Sequence, residues 1–237
     1  MVKKRIAIIL ARGGSKRLPN KNILKLNNIP LVAWSINAAI KSKLFKRVLV
    51  STDSKKIADI SIKYGAEVPF LRSKASDDFS SSSSATYFSL KQSEKYWGEK
   101  YNIVAQLMAS CPLRSSEDIK KSIFAFEKNS APSQISCFKY GWNNPWWAAK
   151  IGKKNLPKYI FSKRLRNKRS QDLESLFCPS GALWIAKRDL FLKKKNFYIN
   201  GHRLEPLNWT SAIDIDDEED FMMAKIITNF NANNKII

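Results

Sequence analysis

The chain has 237 residues, of which 44% are hydrophobic and 11% aromatic, so it can bury a sizeable core in one large domain or two small ones. This composition excludes an intrinsically disordered chain and a collagen-like repeat. Lys and Arg number 42 against 20 Asp and Glu, and the resulting formal charge of +22 favours a polyanionic ligand or partner.

Rare residue types exclude further classes of protein. The three cysteines, Cys111, Cys137 and Cys178, are widely spaced, which leaves neither a disulfide framework nor a C-x-x-C metal site. His202 is the only histidine, so a His-rich metal site is also excluded. No apolar run reaches the roughly 18 residues that a membrane span requires, and the first ten residues are too short and too polar for a signal peptide. We therefore expect a cytoplasmic protein that does not cross a membrane.

Strand and helix patterns alternate along most of the chain. Short apolar runs predict strands over residues 5–10, 47–51, 67–71, 102–109, 133–138, 182–186 and 203–207. Apolar residues three and four apart predict helices over residues 30–45, 54–64, 82–97, 116–128, 189–195 and 217–230. A serine run at 80–84 either caps the helix that follows it or forms a flexible linker. The alternation predicts an α/β fold with a single, Rossmann-like, mostly parallel sheet.

One segment, residues 140–176, breaks this alternation. It begins with a cluster that includes Trp142 and Trp147 and continues as a basic, poorly periodic stretch. We interpret it as an arm inserted into a single domain of residues 1–230, and we expect residues 231–237 to form a frayed tail.

The loop after the first strand, residues 11–22, is a candidate phosphate-binding loop. It follows the carboxyl end of a predicted strand, which is where open α/β sheets bind ligands. Gly13 and Gly14 let backbone N–H groups approach a ligand closely. Four cations lie within ten residues: Arg12, Lys16, Arg17 and Lys21. The glycine spacing is neither G-x-G-x-x-G nor G-x-x-x-x-G-K-[ST], so the dinucleotide-binding and P-loop patterns are excluded. The competing interpretation of the loop is a basic turn exposed to solvent.

Two aspartates near the C-terminus are candidate metal ligands. Asp214 and Asp216 lie two residues apart in a segment predicted to be extended, so their carboxylates should point to one side. Mg²⁺ usually takes one or two protein carboxylates and completes its octahedron with phosphate oxygens and water. The competing interpretation, an acidic helix start that complements the helix dipole, suits residues 217–219 better than it suits this pair.

The sequence resembles a known family at the first loop, which reads A-R-G-G-S-K-R-L-P-N-K-N over residues 11–22. This pattern is similar to the signature of CMP-sugar synthetases, above all the acylneuraminate cytidylyltransferases. Further segments resemble that family's motifs in the same order: 50–53, 64–72, 112–114, 169–173, 180–182, 213–216 and 217–220. The resemblance implies a nucleotide-diphospho-sugar transferase-like fold, a homodimer, and a Mg²⁺-dependent reaction. In that reaction CTP and a nonulosonic sugar acid give a CMP-sugar and pyrophosphate.

The resemblance also assigns roles to individual residues. Its nucleotide-binding positions are Ala11, Arg12, Gly13, Gly14, Ser15, Lys16, Lys21, Asn22, Arg72 and Ser82, of which Arg12, Lys16 and Lys21 would be catalytic. Its sugar-binding positions are Gln106, Met108, Arg169, Gln171, Trp184, Phe197 and Tyr198, with residues 140–176 as a sugar-binding and dimerisation arm. Met108 stands where sialate enzymes carry Gln, and Cys178 stands where a second sugar-binding cation is expected. Sialate, legionaminate and pseudaminate therefore remain candidate sugars.

Two alternatives stay open. A 3-deoxy-manno-octulosonate cytidylyltransferase would use the same loop with a different sugar pocket. A nucleic-acid-binding protein would account for the positive charge and the seven tryptophans. The basic residues are spread along the chain, however, and no RNP, KH or helix-turn-helix pattern is present. We therefore expect no nucleic-acid partner.

Overall fold

The computed structural model describes residues 3–75 and 80–234, with side chains through residue 231. The strands are β1 Arg5–Leu10, β2 Lys25–Leu26, β3 Ile29–Pro30, β4 Arg47–Ser51, β5 Ile103–Met108, β6 Ser133–Lys139, β7 Ala149–Ile151, β8 Pro157–Tyr159, β9 Phe177–Lys187 and β10 Arg203–Pro206. The helices are α1 Leu31–Ser42, α2 Lys55–Lys63, α3 Ser82–Trp97, α4 Ser116–Asn129, α5 Lys163–Arg166, α6 Arg188–Lys194 and α7 Glu218–Asn234. Among the helices in these ranges, none has the length and apolar character to cross a bilayer.

A six-stranded sheet organises the molecule, with strand order β10-β6-β9-β5-β1-β4. β1 is parallel to β4 and β5, and β10 is parallel to β6. β9 is antiparallel to both of its neighbours, β5 and β6. The sequence-based prediction of an α/β fold with a mostly parallel sheet is confirmed.

The apolar run of β1 is long because both faces of this central strand are covered. Ala7 and Ile9 belong to one hydrophobic cluster, which includes residues of α1, α2 and α4. Ile6 and Ile8 point the other way, into a second cluster with residues of α3 and α6. All four side chains are fully buried, as expected for a strand that has helices on both faces.

Serine hydroxyls determine where several helices begin. The hydroxyl of Ser81 accepts a hydrogen bond from the Ser84 backbone N–H and caps α3. Ser115 and Asp118 form a reciprocal capping box at the start of α4. The capping role proposed for the serine run at 80–84 is therefore confirmed.

Three elements have a boundary that differs from the sequence-based prediction by four residues or more. The strand predicted at 67–71 is reduced to an isolated bridge between Glu67 and Leu49, because Pro69 has no N–H to continue a ladder. β9 begins at Phe177 rather than at residue 182, because its first residues pair with the end of β6. The last helix, α7, continues four residues beyond the predicted end at 230, and residues 235–237 lie outside the described ranges.

Between β6 and β9, residues 140–176 contribute no strand to the central sheet. They contain the short antiparallel pair β7–β8 and the one-turn helix α5. Apolar side chains here face solvent: Ile151 is 82% exposed and Leu156 is 65% exposed. We call residues 140–176 the arm.

Candidate active site

A cavity of about 450 Å³ opens where β1 and β5 end. Its wall includes Leu10 and Met108, the last residues of those two strands, so it lies at the carboxyl edge of the parallel part of the sheet. Five cationic side chains contribute to the wall: Arg12, Lys16, Arg17, Lys21 and Arg72. We call it the cation cavity. Its position is the usual ligand site of an open α/β sheet.

The loop that carries four of these cations is tied to the rest of the chain near both of its ends. The Gly13 N–H donates to Asp53 Oδ1 at 2.7 Å, and the Asn22 side-chain amide donates to the Arg12 carbonyl at 2.8 Å. A Cβ on Gly13 would lie 3.1 Å from the Cβ of Ser54, so the close approach to the residues that follow β4 favours glycine. These contacts shape the loop before any ligand arrives.

Asp216 holds two of the cations in place. Lys21 Nζ donates to Asp216 Oδ1 at 2.9 Å and to the Ile215 carbonyl at 2.6 Å. Arg17 pairs with the other carboxylate oxygen of Asp216 at 2.7 Å. Burial acts to raise the pKa of Asp216, yet Lys21 and Arg17 hold that pKa below its ordinary value. The carboxylate is therefore ionised at neutral pH.

Arg72 lies deep in the wall of the cation cavity, only 6% exposed. Its Nη1 donates to the Ser51 hydroxyl at 3.2 Å and to the Ser51 carbonyl at 3.4 Å. Burial lowers the pKa of Arg72, the nearby charge of Asp53 opposes this shift, and the charge of Arg12 adds to it. An arginine so placed offers a fixed guanidinium to a ligand.

The N-terminus of α3 faces the same cavity. Ser80, Ser81 and Ser82 line the wall at this point. Beneath them, the Gln106 side-chain amide donates to the Ser82 hydroxyl at 3.3 Å and accepts from Thr86 at 2.7 Å. The first turn of α3 contains no acidic residue, so the positive end of the helix dipole adds to the field of the five cations. The cation cavity therefore suits an oligophosphate.

Asp214 differs from Asp216 in its surroundings. It lines a second cavity next to the first, and its Oδ1 is buried without a hydrogen-bond partner among the described residues. Burial raises the pKa of the Asp214 carboxyl, and the charge of Asp216 raises it further. Over the described residues no group of three or more His, Cys, Asp or Glu side chains is placed to hold a metal. Mg²⁺ needs only one or two protein carboxylates when phosphate and water supply the rest, so Asp214 and Asp216 stay candidate ligands.

The second cavity has a volume of about 610 Å³. Its wall is mostly aromatic and aliphatic, and we call it the aromatic cavity; it is lined by Phe138–Asn143, Cys178–Gly181, Trp209, Ala212–Asp214, Asp220 and Met223. A Cβ on Gly181 would lie 2.7 Å from Met108 Cγ and 3.0 Å from Asp214 Oδ2. Met108 lines the cation cavity, so Met108, Gly181 and Asp214 form the boundary between the two cavities.

A bulge in the pairing of β6 with β9 brings Gly181 to this boundary. The register shifts between Ile135 and Cys137, and the Ser136 hydroxyl occupies the gap. This hydroxyl donates to the Ser180 carbonyl at 3.0 Å and accepts from the Leu183 N–H at 2.9 Å. The buried Arg114 donates through Nη1 to the neighbouring Ala182 carbonyl. Bulges commonly re-aim backbone next to binding sites, and this one has that placement.

The predicted sugar-binding residues are dispersed in the structure. Arg169 and Gln171 are exposed on the arm, where Arg169 Nε pairs with Asp172 at 2.8 Å. Neither of these residues lines either cavity. Met108 lines the cation cavity, and Gln106 is fully buried behind it.

Three predicted aromatic residues form one cluster beside the cavities. The Trp184 ring lies 5.7 Å from the Phe197 ring and 5.5 Å from the Tyr198 ring, measured between centroids. Phe197 is fully buried against Phe191 in the core, whereas Tyr198 is 48% exposed. The structure does not bring these rings to the walls of the two cavities.

Most of the predicted nucleotide-binding residues meet at the cation cavity: Arg12, Ser15, Lys16, Lys21, Asn22, Arg72 and Ser82 line it. The loop residues Ala11, Gly13 and Gly14 are not among the residues that line it. Sequence analysis gave no site role to Ser110, which lines the cavity, or to Asp53, which fixes Gly13. Both follow the carboxyl ends of parallel strands, and this position is the signal that could have identified them.

Comparison with known proteins agrees with this geometry. The family model described as cytidylyltransferase matches residues 6–224. The chain is 31% identical over 231 residues to a pseudaminic acid cytidylyltransferase of Campylobacter jejuni, covering 96% of this chain and 97% of the relative. It is 32% identical over 235 residues to a CMP-N,N'-diacetyllegionaminic acid synthase of Legionella pneumophila, covering 95% and 97% of the two chains.

A solved structure shares the fold. It is a CMP:2-keto-3-deoxy-manno-octonic acid synthetase complexed with CTP, with a TM-score of 0.72 and 13% sequence identity over 96% of this chain and 99% of the other. The family resemblance inferred from the sequence is confirmed by the match over residues 6–224. This chain belongs to the cytidylyltransferase family.

Proposed function

We propose that this protein transfers CMP from CTP to the anomeric hydroxyl of a nonulosonic sugar acid and releases pyrophosphate. The observation that carries the proposal is the cation cavity: five cationic side chains and a helix N-terminus converge on one space in a cytidylyltransferase. The names of the two curated relatives, which specify pseudaminic and legionaminic acids, support a nine-carbon acceptor.

The chemistry of the reaction explains why cations should dominate the cavity. When the sugar hydroxyl attacks the α-phosphorus, negative charge grows on the phosphoryl oxygens and on the departing pyrophosphate. Positioned cations stabilise that charge more strongly than they stabilise the substrates. Arg12, Lys16 and Lys21 are the candidates for this role. Lys21 is held in place for this role, because Asp216 and the Ile215 carbonyl both accept hydrogen bonds from its ammonium.

We propose Mg²⁺ as the cofactor, held by Asp214 and Asp216. The buried Oδ1 of Asp214 has no hydrogen-bond partner in the described part of the chain, and this supports the assignment because such an oxygen is costly unless a cation satisfies it. A bound Mg²⁺ would neutralise charge on the phosphates and orient them for attack. Asp216 would have to share its oxygens between the ion and its present partners, Lys21 and Arg17.

Asn22 and Arg72 are our candidates for reading the cytosine base. Both are buried and both line the cation cavity, where an amide and a guanidinium can hydrogen-bond to a base edge. We expect pyrophosphate release with CTP and little with ATP or GTP when a good sugar acid is supplied. Equal release with ATP and CTP would contradict the assignment of these two residues.

We also propose a homodimer formed through the arm. Exposed apolar side chains at Trp142, Ile151, Leu156 and Ile160 support this, because a chain that stays monomeric rarely exposes so many together. Light scattering should show a dimer for the wild-type chain and a monomer for an Ile151→Glu variant. A Phe124→Ala variant, altered on the exposed face of α4, is the matched control and should remain dimeric. A monomeric wild-type chain would refute the dimer.

We place the enzyme in the cytoplasm, where its three free thiols stay reduced.

The direct test of the function is pyrophosphate release from CTP. Purified full-length protein with Mg²⁺ is assayed against sialic, legionaminic, pseudaminic and 3-deoxy-manno-octulosonic acids. We expect release with at least one of the nine-carbon acids. Release with only the eight-carbon acid would favour the octulosonate alternative, and no release with any acid would refute the proposed function.

A further inference from the structure

Arg114 is a buried cation that lines neither of the two cavities. It lies on the loop between β5 and α4 and is only 1% exposed. Burial lowers the pKa of Arg114 to about 10, and the charge of Asp214 is among those that oppose this shift. The guanidinium is therefore charged at neutral pH.

The hydrogen bonds of Arg114 are incomplete. Its Nη1 donates to the Ala182 carbonyl, but its Nε and Nη2 have no hydrogen-bond partner among the described residues. A buried charge with unsatisfied N–H groups opposes folding, and replacing a buried ion by a hydrophobic residue of similar size is often neutral or stabilising. Core packing therefore gives no reason for an arginine at this position.

The loop that carries Arg114 also contacts the segment of the candidate metal ligands. The Ser110 carbonyl, near the start of the loop, accepts a hydrogen bond from the Ile215 N–H at 2.8 Å. Ile215 is the residue between Asp214 and Asp216. The backbone of this aspartate segment is therefore fixed to the carboxyl end of β5.

The bond from Arg114 to β9 fixes the opposite side of Asp214. Ala182 follows Gly181, and a Cβ on Gly181 would lie 3.0 Å from Asp214 Oδ2. This part of β9 is irregular, because the bulge opposite Ser136 interrupts its pairing with β6. A side-chain donor from outside the ladder thus holds β9 where its backbone approaches the Asp214 carboxylate.

We propose that Arg114 is a positioning residue of the reaction centre: its bond to Ala182 holds β9 against Asp214 and so fixes the orientation of this carboxylate. Without that bond, β9 can withdraw and Asp214 can turn away from the metal position. This inference rests on the proposed function and on Asp214 as a metal ligand. Residues that orient metal ligands typically contribute 10- to 100-fold to metal affinity or activity.

The test compares two substitutions of Arg114 with one control. Arg114→Met removes the charge and the donors at similar length, whereas Arg114→Lys keeps a charged donor. The control is Gln134→Met in β6. Gln134 is also fully buried, donates to a single backbone carbonyl, that of Ser122, at 2.9 Å, and lines neither cavity. Its Oε1 has no hydrogen-bond partner in the described part of the chain.

Two measurements separate positioning from general stability. Electron paramagnetic resonance gives the dissociation constant of Mn²⁺ from the protein with CTP, corrected for Mn²⁺ bound by free CTP. Steady-state kinetics gives kcat and both KM values with the best sugar acid. Arg114→Met should raise the Mn²⁺ dissociation constant about tenfold and lower kcat roughly 10- to 100-fold, with the KM for CTP unchanged. Arg114→Lys should restore much of both, and Gln134→Met should keep wild-type values.

Wild-type Mn²⁺ affinity and kcat in Arg114→Met would overturn the inference. Equal losses in Gln134→Met would also overturn it, because the effect would then follow from loosening of the core. If Arg114→Met does not fold, Gly181→Ala decides, since its added Cβ presses on Asp214 and should weaken Mn²⁺ binding; unchanged binding would overturn the inference. A wild-type protein that binds Mn²⁺ but turns over no acid would refute the proposed function, and the Mn²⁺ comparison would still test Arg114.

Discussion

The cation cavity and the arm are held together in different ways. Gly13 and Asp53 are 40 residues apart in the chain, and Lys21 and Asp216 are 195 residues apart, yet each pair is hydrogen-bonded. On the arm, Arg169 is held by Asp172, only three residues away. The tertiary fold therefore fixes the cavity within one chain, whereas Arg169 is positioned by local contacts on an exposed segment. Under the proposed function, we expect the nucleotide half of the site to be formed within the single chain and the sugar half to depend on the arm.

The largest effect is expected from neutralising the two candidate metal ligands, Asp216 in the wall of the cation cavity and Asp214 at its boundary with the aromatic cavity. Asp214→Asn and Asp216→Asn should each lower kcat by roughly 10²- to 10⁴-fold, because the proposed Mg²⁺ loses a charged ligand. The free energy of unfolding should change by less than about 1 kcal/mol for Asp214→Asn, since Asp214 Oδ1 is buried and finds no partner among residues 3–75 and 80–231, and such a carboxylate contributes little to stability. Steady-state kinetics and urea unfolding measure the two effects.

The matched control for these variants is Glu219→Gln, which neutralises an exposed carboxylate in the first turn of α7. It should retain wild-type kinetics. Wild-type turnover in both aspartate variants would remove the metal assignment.

A second test compares Lys21 of the cation cavity with Arg169 of the arm. Lys21→Ala removes a cation that should stabilise charge growing on the phosphates, so kcat and kcat/KM should fall together by roughly 10²-fold. Arg169→Ala removes a predicted clamp on the sugar carboxylate and should mainly raise the sugar KM, by about tenfold or more. Kinetics with each substrate varied in turn separate the two outcomes.

Arg164→Ala is the control for the arm, because Arg164 is another exposed arm cation without a predicted role. It should leave both KM values unchanged. If Arg169→Ala left the sugar KM unchanged and Lys21→Ala altered only that KM, the division into a nucleotide half and a sugar half would be wrong.

A smaller effect should follow from releasing the first loop. Asp53→Ala leaves the Gly13 N–H without its acceptor, so the KM for CTP should rise by about tenfold while kcat changes less. Asp53→Asn keeps an acceptor oxygen and should restore most of the affinity for CTP. An unchanged KM for CTP in Asp53→Ala would show that the loop does not need this contact.

The smallest effect concerns the start of α3. Ser81→Ala removes an N-cap and should cost about 1 kcal/mol of unfolding free energy. Ser115→Ala, which removes the cap of α4, should cost about the same. Only Ser81 lines the cation cavity, so only its variant should raise the KM for CTP, by roughly two- to fivefold. If the two variants had the same KM for CTP, the N-terminus of α3 would not contribute to CTP binding.

Local patterns in the sequence predict much of this molecule. The apolar run of β1 and the periodicity of α3 depend on neighbours a few residues away, and their predicted bounds agree with the structure. The motifs at residues 11–22 and 213–216 are also local patterns, and they predicted the cytidylyltransferase family that the match over residues 6–224 confirms. Strand and helix identity can be predicted because burial on a sheet or a helix face repeats with a fixed period.

Only the tertiary structure decided which of these residues share a space. It buried Phe197 in the core, reduced the strand predicted at 67–71 to one bridge, and placed Asp214 and Asp216 on the walls of adjacent cavities. It also assigned a role to Asp53, which accepts a hydrogen bond from the Gly13 N–H. Nothing in the sequence around Asp53 indicates that Gly13, 40 residues earlier, is its partner. Such contacts depend on strand order and on a bulge in β9, and these are set by packing over the whole sheet rather than by any local pattern.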